Sequence, residues 1–237
     1  KSGETVGILV NSPWKNPGYF THPDVALAAV KHLLDAGAGG IVCFKPVPEG
    51  YWEKSRYFDL MAGDIKNFRY GDKRMKAPIP EGVYLKEAEI FEVFEEVDRY
   101  INIPVAKHHA GTNFSGTLKG LMGVSSGDTN RRMHSPSGDY TYDEQEYLSQ
   151  CVADLNLLRR PDLCIVDALE CGLNNGPRGP GDTVKPGKIL AGTDLVAVDA
   201  WSAELIGFSL DDIPSVAMAA KHGLGSNDIK GLDVLEV

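Results

Sequence analysis

The sequence has little of several things that would point to a chemistry at once. Its four cysteines, Cys43, Cys151, Cys164 and Cys171, form no Cys-x-x-Cys pair. Those spacings argue against a zinc ribbon and against a ferredoxin-type cluster, so no iron–sulfur centre is expected. Cys43 in IVCF and Cys164 in LCIVDAL stand in apolar runs and read as small buried hydrophobes. No stretch reaches 18 uninterrupted apolar residues, which argues against a membrane span. No GxGxxG opens a helix, and there is no GxxxxGK[ST], no GxSxG and no HExxH. Internal repeats, low-complexity tracts and linkers are missing too. Positive charge is scarce: 24 Lys and Arg stand against 33 Asp and Glu, a net −9. That balance argues against nucleic-acid binding, which wants a basic face. The chain starts at Lys1 without Met, so the lack of a targeting signal carries no information.

What is present reads as one α/β domain over residues 1–237. Residues 5–11 (TVGILVN) suit a short buried strand. Pro23 sits where a first helical residue should sit, Val25, Ala29, Val30, Leu33 and Leu34 recur on one face, and Gly37 ends the helix. GIVCF (40–44) supplies the next strand, and this order argues for a parallel βαβ unit. Residues 46–82 are a polar excursion or small insertion with one short helix. The acidic run 86–97 (KEAEIFEVFEEV) fits a helix, and RYINIPVA a strand. Thr141-Tyr142-Asp143-Glu144 matches a capping box ahead of a helix that ends at Pro161. LCIVDAL (163–169) is a strand buried on both faces. KILAG is a further short strand, Asp194 can cap a helix over 195–206, and another helix covers about 213–222. The expected architecture is a mostly parallel sheet with helices on both faces, a Rossmann-like arrangement in three layers.

Against the acidic background, residues 101–136 carry four cations, Lys107, Lys119, Arg131 and Arg132, and one anion, Asp128. Three of the six histidines, His108, His109 and His134, fall in the same stretch. In open parallel sheets, ligands bind beyond the carboxyl ends of strands. A lysine there can hold a phosphate or carboxylate, and a histidine can move a proton near neutral pH. His108 and His109 are adjacent and point different ways, so one of the two is the candidate. Thr117 and Lys119 lie in TNFSGTLKGLMG, whose glycines and hydroxyls suit an anion.

Asp167 closes the strand LCIVD, where a carboxylate can act as base, metal ligand or partner of a cation. Asn174 follows in a Gly/Pro-rich loop that overhangs the same edge. Asp199, within the apolar helix DLVAVDAWSAEL, is costly to bury unless paired, so it should face the site or a cation. For metal chemistry, His108 or His109 with His134, Asp167 and Asp199 would make a mixed N/O site for a divalent metal.

At these residues the chain resembles the domain-of-unknown-function 362 family. The resemblance rests on THPDVALAAVKHLLDAGAGGIV, NIPVAKHHAGTNFSGTLKGLMG, RRMH, VADLNLLRRP, CIVDALECGLNNGPRGPG and ILAGTDLVAVDAWSAELIG, in order, from about residue 5 to 230. It implies an α/β protein whose polar positions correspond here to Lys107, His108, Thr117, Lys119, His134, Asp167 and Asp194 or Asp199. Family members with ferredoxin-type cysteine clusters have no counterpart of them here. Many members carry Lys-Pro-Asn after the first strand, where this chain has Val10-Asn11-Ser12. The resemblance implies a bacterial or archaeal protein, cytoplasmic or, where a twin-arginine signal has been removed, exported.

Three readings follow. In the first, the protein is an enzyme on a small anionic substrate: Lys107 and Lys119, with Thr117 and Asn174, hold the anion, His108 or His134 serves as acid/base, and Asp167 or Asp199 orients it. Second is a non-catalytic carrier of a ligand or metal, with His109 and Asp199 as further metal candidates. The last is a partner-binding subunit that uses the acidic 86–97 helix and the 46–82 excursion.

Overall fold

The computed structural model describes residues 1–12, 15–138 and 145–236. Its first strand, β1 (Thr5–Val10), sends alternate side chains to two apolar layers: Val6, Ile8 and Val10 to one, Leu9 to the other. A strand covered on both faces reads as a continuous apolar run, and TVGILV does.

Helix α1 (Pro23–Asp35) starts at the proline, whose fixed φ suits a first turn, and the His22 ring accepts from Asp24 N. Gly37 takes φ 94° just past its end, a left-handed turn that a side chain would disfavour. β2 (Gly40–Cys43) pairs parallel to β1. The 46–82 stretch is more ordered than its composition suggests. After a short 3-10 turn at Trp52–Lys54 it forms α2 (Phe58–Ile65) and then β3 (Arg69–Tyr70), which joins the main sheet parallel to β2.

The expected helix over 86–97 is a strand instead. β4 (Arg74–Pro78) and β5 (Glu87–Phe91) form an antiparallel pair, and only Val93–Glu96 makes one turn of helix, α3. The residues of KEAEIF are good helix formers, but they also alternate: Ala88 and Ile90 are fully buried while Glu87 stays out and meets Lys76 at 3.0 Å. Cross-strand pairing and burial of that period-two face outweigh propensity.

β6 (Arg99–Ile103) runs parallel beside β1. Its continuation, which opens the cationic stretch, leaves the sheet as a hairpin, β7 (Lys107–His109) and β8 (Asn113–Ser115). α4 (Thr117–Gly120), a 3-10 turn at Leu121–Val124 and α5 (Gly127–His134) follow, so His134 ends a helix rather than standing in a loop. α6 (Gln145–Leu155) carries the expected apolar face; the capping box at 141–144 lies outside the described residues. β9 (Leu163–Ala168) is parallel to β6. A two-stranded patch, β10 (Cys171–Gly172) and β11 (Thr183–Val184), brackets the Gly/Pro-rich loop. β12 (Lys188–Gly192) closes the sheet antiparallel to β9. Asp194 caps α7 (Leu195–Leu205) by accepting from Val196 N and Ala197 N, and α8 (Pro214–Lys221) completes the described helices.

The main sheet has the order β12-β9-β6-β1-β2-β3 and is parallel except for β12. One apolar layer carries α1 and α2, and the opposite one α4, α6, α7 and α8. This is a three-layer α/β fold. The chain leaves β1 toward β2 in one direction and later toward β6 in the other, so the topology reverses between β1 and β6. In open α/β sheets ligands bind at such a crevice, beyond the carboxyl ends of the strands.

Candidate functional site

A cavity of about 820 Å³ opens at that place. Leu9, Val10 and Asn11 reach it from the end of β1, Lys45 from the end of β2, Lys107 and His109 from the β7 strand that prolongs β6. Ser115, Lys119, Gly120, Met122 and Gly123 come from the segment around α4, Asn130 and His134 from α5, and Asn175, Pro177 and Arg178 from the Gly/Pro-rich loop. Among the described residues, no Asp or Glu side chain lines it.

Lys107 is buried, and its Nζ donates to the Pro177 carbonyl at 3.0 Å. Lys119 Nζ lies 3.0 Å from the Met122 sulfur. Lys45 makes neither hydrogen bond nor ion pair among the described residues. Burial pulls the Lys107 and Lys119 ammonium groups down to about 7, with Lys107 adding to the effect on Lys119, and burial lowers Lys45 as well. A lysine ordinarily keeps its proton to well above this, so the cavity holds cations at a cost that a bound anion would relieve.

The two histidines at the cavity have opposite hydrogen-bond patterns. Gly111 N donates to His109 Nδ1 at 2.9 Å, which leaves the proton of the neutral ring on Nε2. His134 Nδ1 lies 2.7 Å from the Asn130 carbonyl, which can only accept, so Nδ1 carries the proton and Nε2 the lone pair. The ring centroids are 6.1 Å apart. Burial and then Lys119 hold His134 down at about 4; burial, then Lys119 and Lys107, hold His109 well below its usual value. Both rings are therefore neutral near pH 7.

The remaining sequence candidates lie around the cavity rather than on it. His108 accepts from Gly176 N at 3.0 Å through Nδ1, and burial followed by Lys107 lowers its pKa. It thus pins the loop that brings Asn175, Pro177 and Arg178 to the site. Gly176 is needed there, because a Cβ would meet the His108 carbonyl oxygen at 1.9 Å. Asn174 closes the same loop: its Oδ1 accepts from Asp182 N at 3.0 Å and its Nδ2 donates to Asp182 Oδ2 at 2.7 Å. Asp167 accepts from His22 N at 2.7 Å and Leu169 N at 3.0 Å, tying the end of β9 to the start of α1, and burial raises its pKa. Asp199, buried on α7, accepts from Thr117 N, Thr117 Oγ1 and Leu118 N, and so caps α4; burial pushes it up to about 6 against the pull of those bonds. Thr117 is fully buried in that contact.

Asp167, Asp199 and His134 are thus engaged in three different places. Among the described residues, no group of three or more His, Cys, Asp or Glu side chains is arranged to hold a metal ion. The donor set at the cavity, amines, amides and imidazoles, suits an anion. The four cysteines are free and buried. No helix among the described residues is long and apolar enough to cross a membrane.

Sequence reasoning missed Asn11, Lys45, Asn130 and Arg178. A signal existed for two of them: Asn11 and Lys45 are polar residues just past the carboxyl ends of parallel strands, the position that had singled out Lys107. Nothing local marked Asn130 or Arg178; Asn175 follows Asn174 in the loop expected to overhang this edge.

Fold and site together define a doubly wound α/β protein with a cationic cleft at its topological switch point. The chain belongs to the family described as domain of unknown function (DUF362), whose profile residues 6–204 match. Comparison with curated proteins finds no match. A solved crystal structure of a Thermotoga maritima protein superposes with a TM-score of 0.41 at 16% identity, over 70% of this chain and 46% of that one. This chain therefore spans under half the length of that protein.

Proposed function

We propose that the protein is an enzyme that binds a small carboxylated or phosphorylated substrate in this cleft and acts on it by acid–base chemistry. One observation carries the reading: Lys45, Lys107 and Lys119 line a single cavity that no carboxylate among the described residues lines. Buried cations are costly unless paired, and a ligand anion supplies the charge that the described lining lacks. Lys107 and Lys119 hold the anionic group and stabilise charge that develops on it. His134, neutral and protonated on Nδ1, offers Nε2 as the base; His109, protonated on Nε2, offers a donor. His108, Asn174, Asp167, Thr117 and Asp199 act through the backbone they hold.

The test is calorimetric titration of the purified protein with phosphate, sulfate and a panel of small mono- and dicarboxylates, repeated on Lys107→Met. Micromolar to low-millimolar binding of at least one anion, weakened tenfold or more by the substitution, is the expected result. No binding of any of these anions, or equal binding by Lys107→Met, removes the assignment.

A further inference from the structure

The cationic residues at the cleft are not one cluster. Lys107 and Lys119 sit together: each depresses the protonation of the His109 ring, and Lys107 that of Lys119. Lys45 stands apart. It follows β2, whereas Lys107 follows the extension of β6, and β1 lies between those strands in the sheet. Burial lowers Lys45 as well. Between the poles the cleft floor is Leu9 and Val10 at the end of β1, with Asn11 beside them. Lys45 also has no partner of its own among the described residues, so nothing in the fold accounts for a half-buried ammonium at this position.

We propose that the cleft takes a ligand with two anionic groups at opposite ends, one held by Lys107 and Lys119 and the other by Lys45, with a short uncharged segment over the end of β1. A bisphosphate, a phosphorylated carboxylate and a long dicarboxylate share this chemistry. The inference rests on the anion-binding reading of the same cleft and adds to it a second pole and a length. Two linked groups bind more tightly than either alone only when the linker matches the span, because the second contact is then made at high effective concentration.

The probe is a series of α,ω-alkylene bisphosphonates with one to six carbons between the phosphorus atoms, titrated against inorganic phosphate by calorimetry. Wild type is expected to bind one intermediate length at least 30-fold more tightly than phosphate, with affinity falling on either side of it. In Lys45→Met the ratio of bisphosphonate to phosphate affinity should collapse to below threefold, and in Lys45→Arg it should persist. If wild type binds phosphate but shows no length optimum, or Lys45→Met keeps the ratio, the two-pole reading is overturned and the anion site stands. If wild type binds neither phosphate nor any bisphosphonate, nor the carboxylates of the earlier panel, both readings fall. The length dependence in wild type decides the matter even where a Lys45 variant does not fold.

Discussion

Asp199 and Thr117, 82 positions apart in sequence, meet in the core: the Thr117 hydroxyl donates to Asp199 Oδ1 at 2.6 Å, and the same carboxylate receives the N–H groups of Thr117 and Leu118. A one-turn helix has little stability of its own, so this carboxylate fixes the position of α4 and with it Lys119. Asp199→Ala leaves those donors without a partner in a dry environment. It should cost about 2–4 kcal/mol in denaturant unfolding. It should also weaken anion binding although Asp199 does not line the cleft. A variant of wild-type stability would show that the cap does not hold α4 in place.

Lys119→Met should act in the opposite direction on stability. The methionine keeps the stem and removes a charge that no carboxylate among the described residues neutralises at the cleft. Without ligand, the variant should be more stable than wild type by about 0.5–2 kcal/mol, a trade of function against stability. Thermal unfolding with and without sulfate checks this: sulfate should protect wild type and give the variant little.

Anion binding should take up protons. In the empty cleft Lys107 and Lys119 lose theirs near pH 7, and a bound anion raises both pKa values toward the ordinary lysine range. Affinity is then fully present below about pH 7. It falls as pH rises above that, by up to about tenfold per pH unit for each lysine that must be recharged. Sulfate is the probe, because its own charge is constant over this range. Calorimetry at several pH values, in buffers of different ionisation enthalpy, reads the proton uptake; an affinity flat from pH 6 to 9 contradicts it.

Gly176→Ala should loosen the Gly/Pro-rich loop. The added Cβ meets the His108 carbonyl oxygen, so the backbone must move and the Gly176 N to His108 Nδ1 bond at 3.0 Å is lost with it. Asn175, Pro177 and Arg178 then leave their places at the cleft. Anion affinity should drop several-fold, and hydrogen exchange at residues 174–182 should quicken. Unchanged exchange there would mean that the His108 contact does not anchor the loop.

Nitrogen-15 NMR of the imidazoles tests the acid–base assignment directly. His134 should show the Nδ1–H tautomer and His109 the Nε2–H tautomer, both neutral from pH 6 to 8. A His134 that titrates near the ordinary histidine value would remove its lone pair from the chemistry at neutral pH.

Much of the site was visible before folding was considered, because a charge anomaly is a local property. Lys107, His109, Lys119 and His134 line the cleft, and their segment is the cationic stretch of an acidic chain. His108, Thr117, Asn174, Asp167 and Asp199 were equally conspicuous as residue types, yet each holds a piece of backbone in place. A polar side chain beside a site and one in it look alike in sequence; which way it points depends on the packing of elements far away.

The sequence by itself determined the layering. Apolar runs in TVGILV and LCIVDA, the proline start of α1 and the Asp194 cap of α7 are short-range signals, and the structure follows them. Tertiary structure decided what depends on long-range pairing. It made 87–91 a strand, because β4 offered a partner and the buried alternate residues repaid it. It turned Lys107–His109 into a hairpin. It also set Lys45, Lys107 and Lys119 around one cavity, since β1, β2 and β6 are neighbours only through the sheet order. Local propensity and periodicity are written into a few consecutive residues, whereas the meeting of Lys45 and Lys107 beyond separate strands with Lys119 of α4 exists only once the sheet has closed its register.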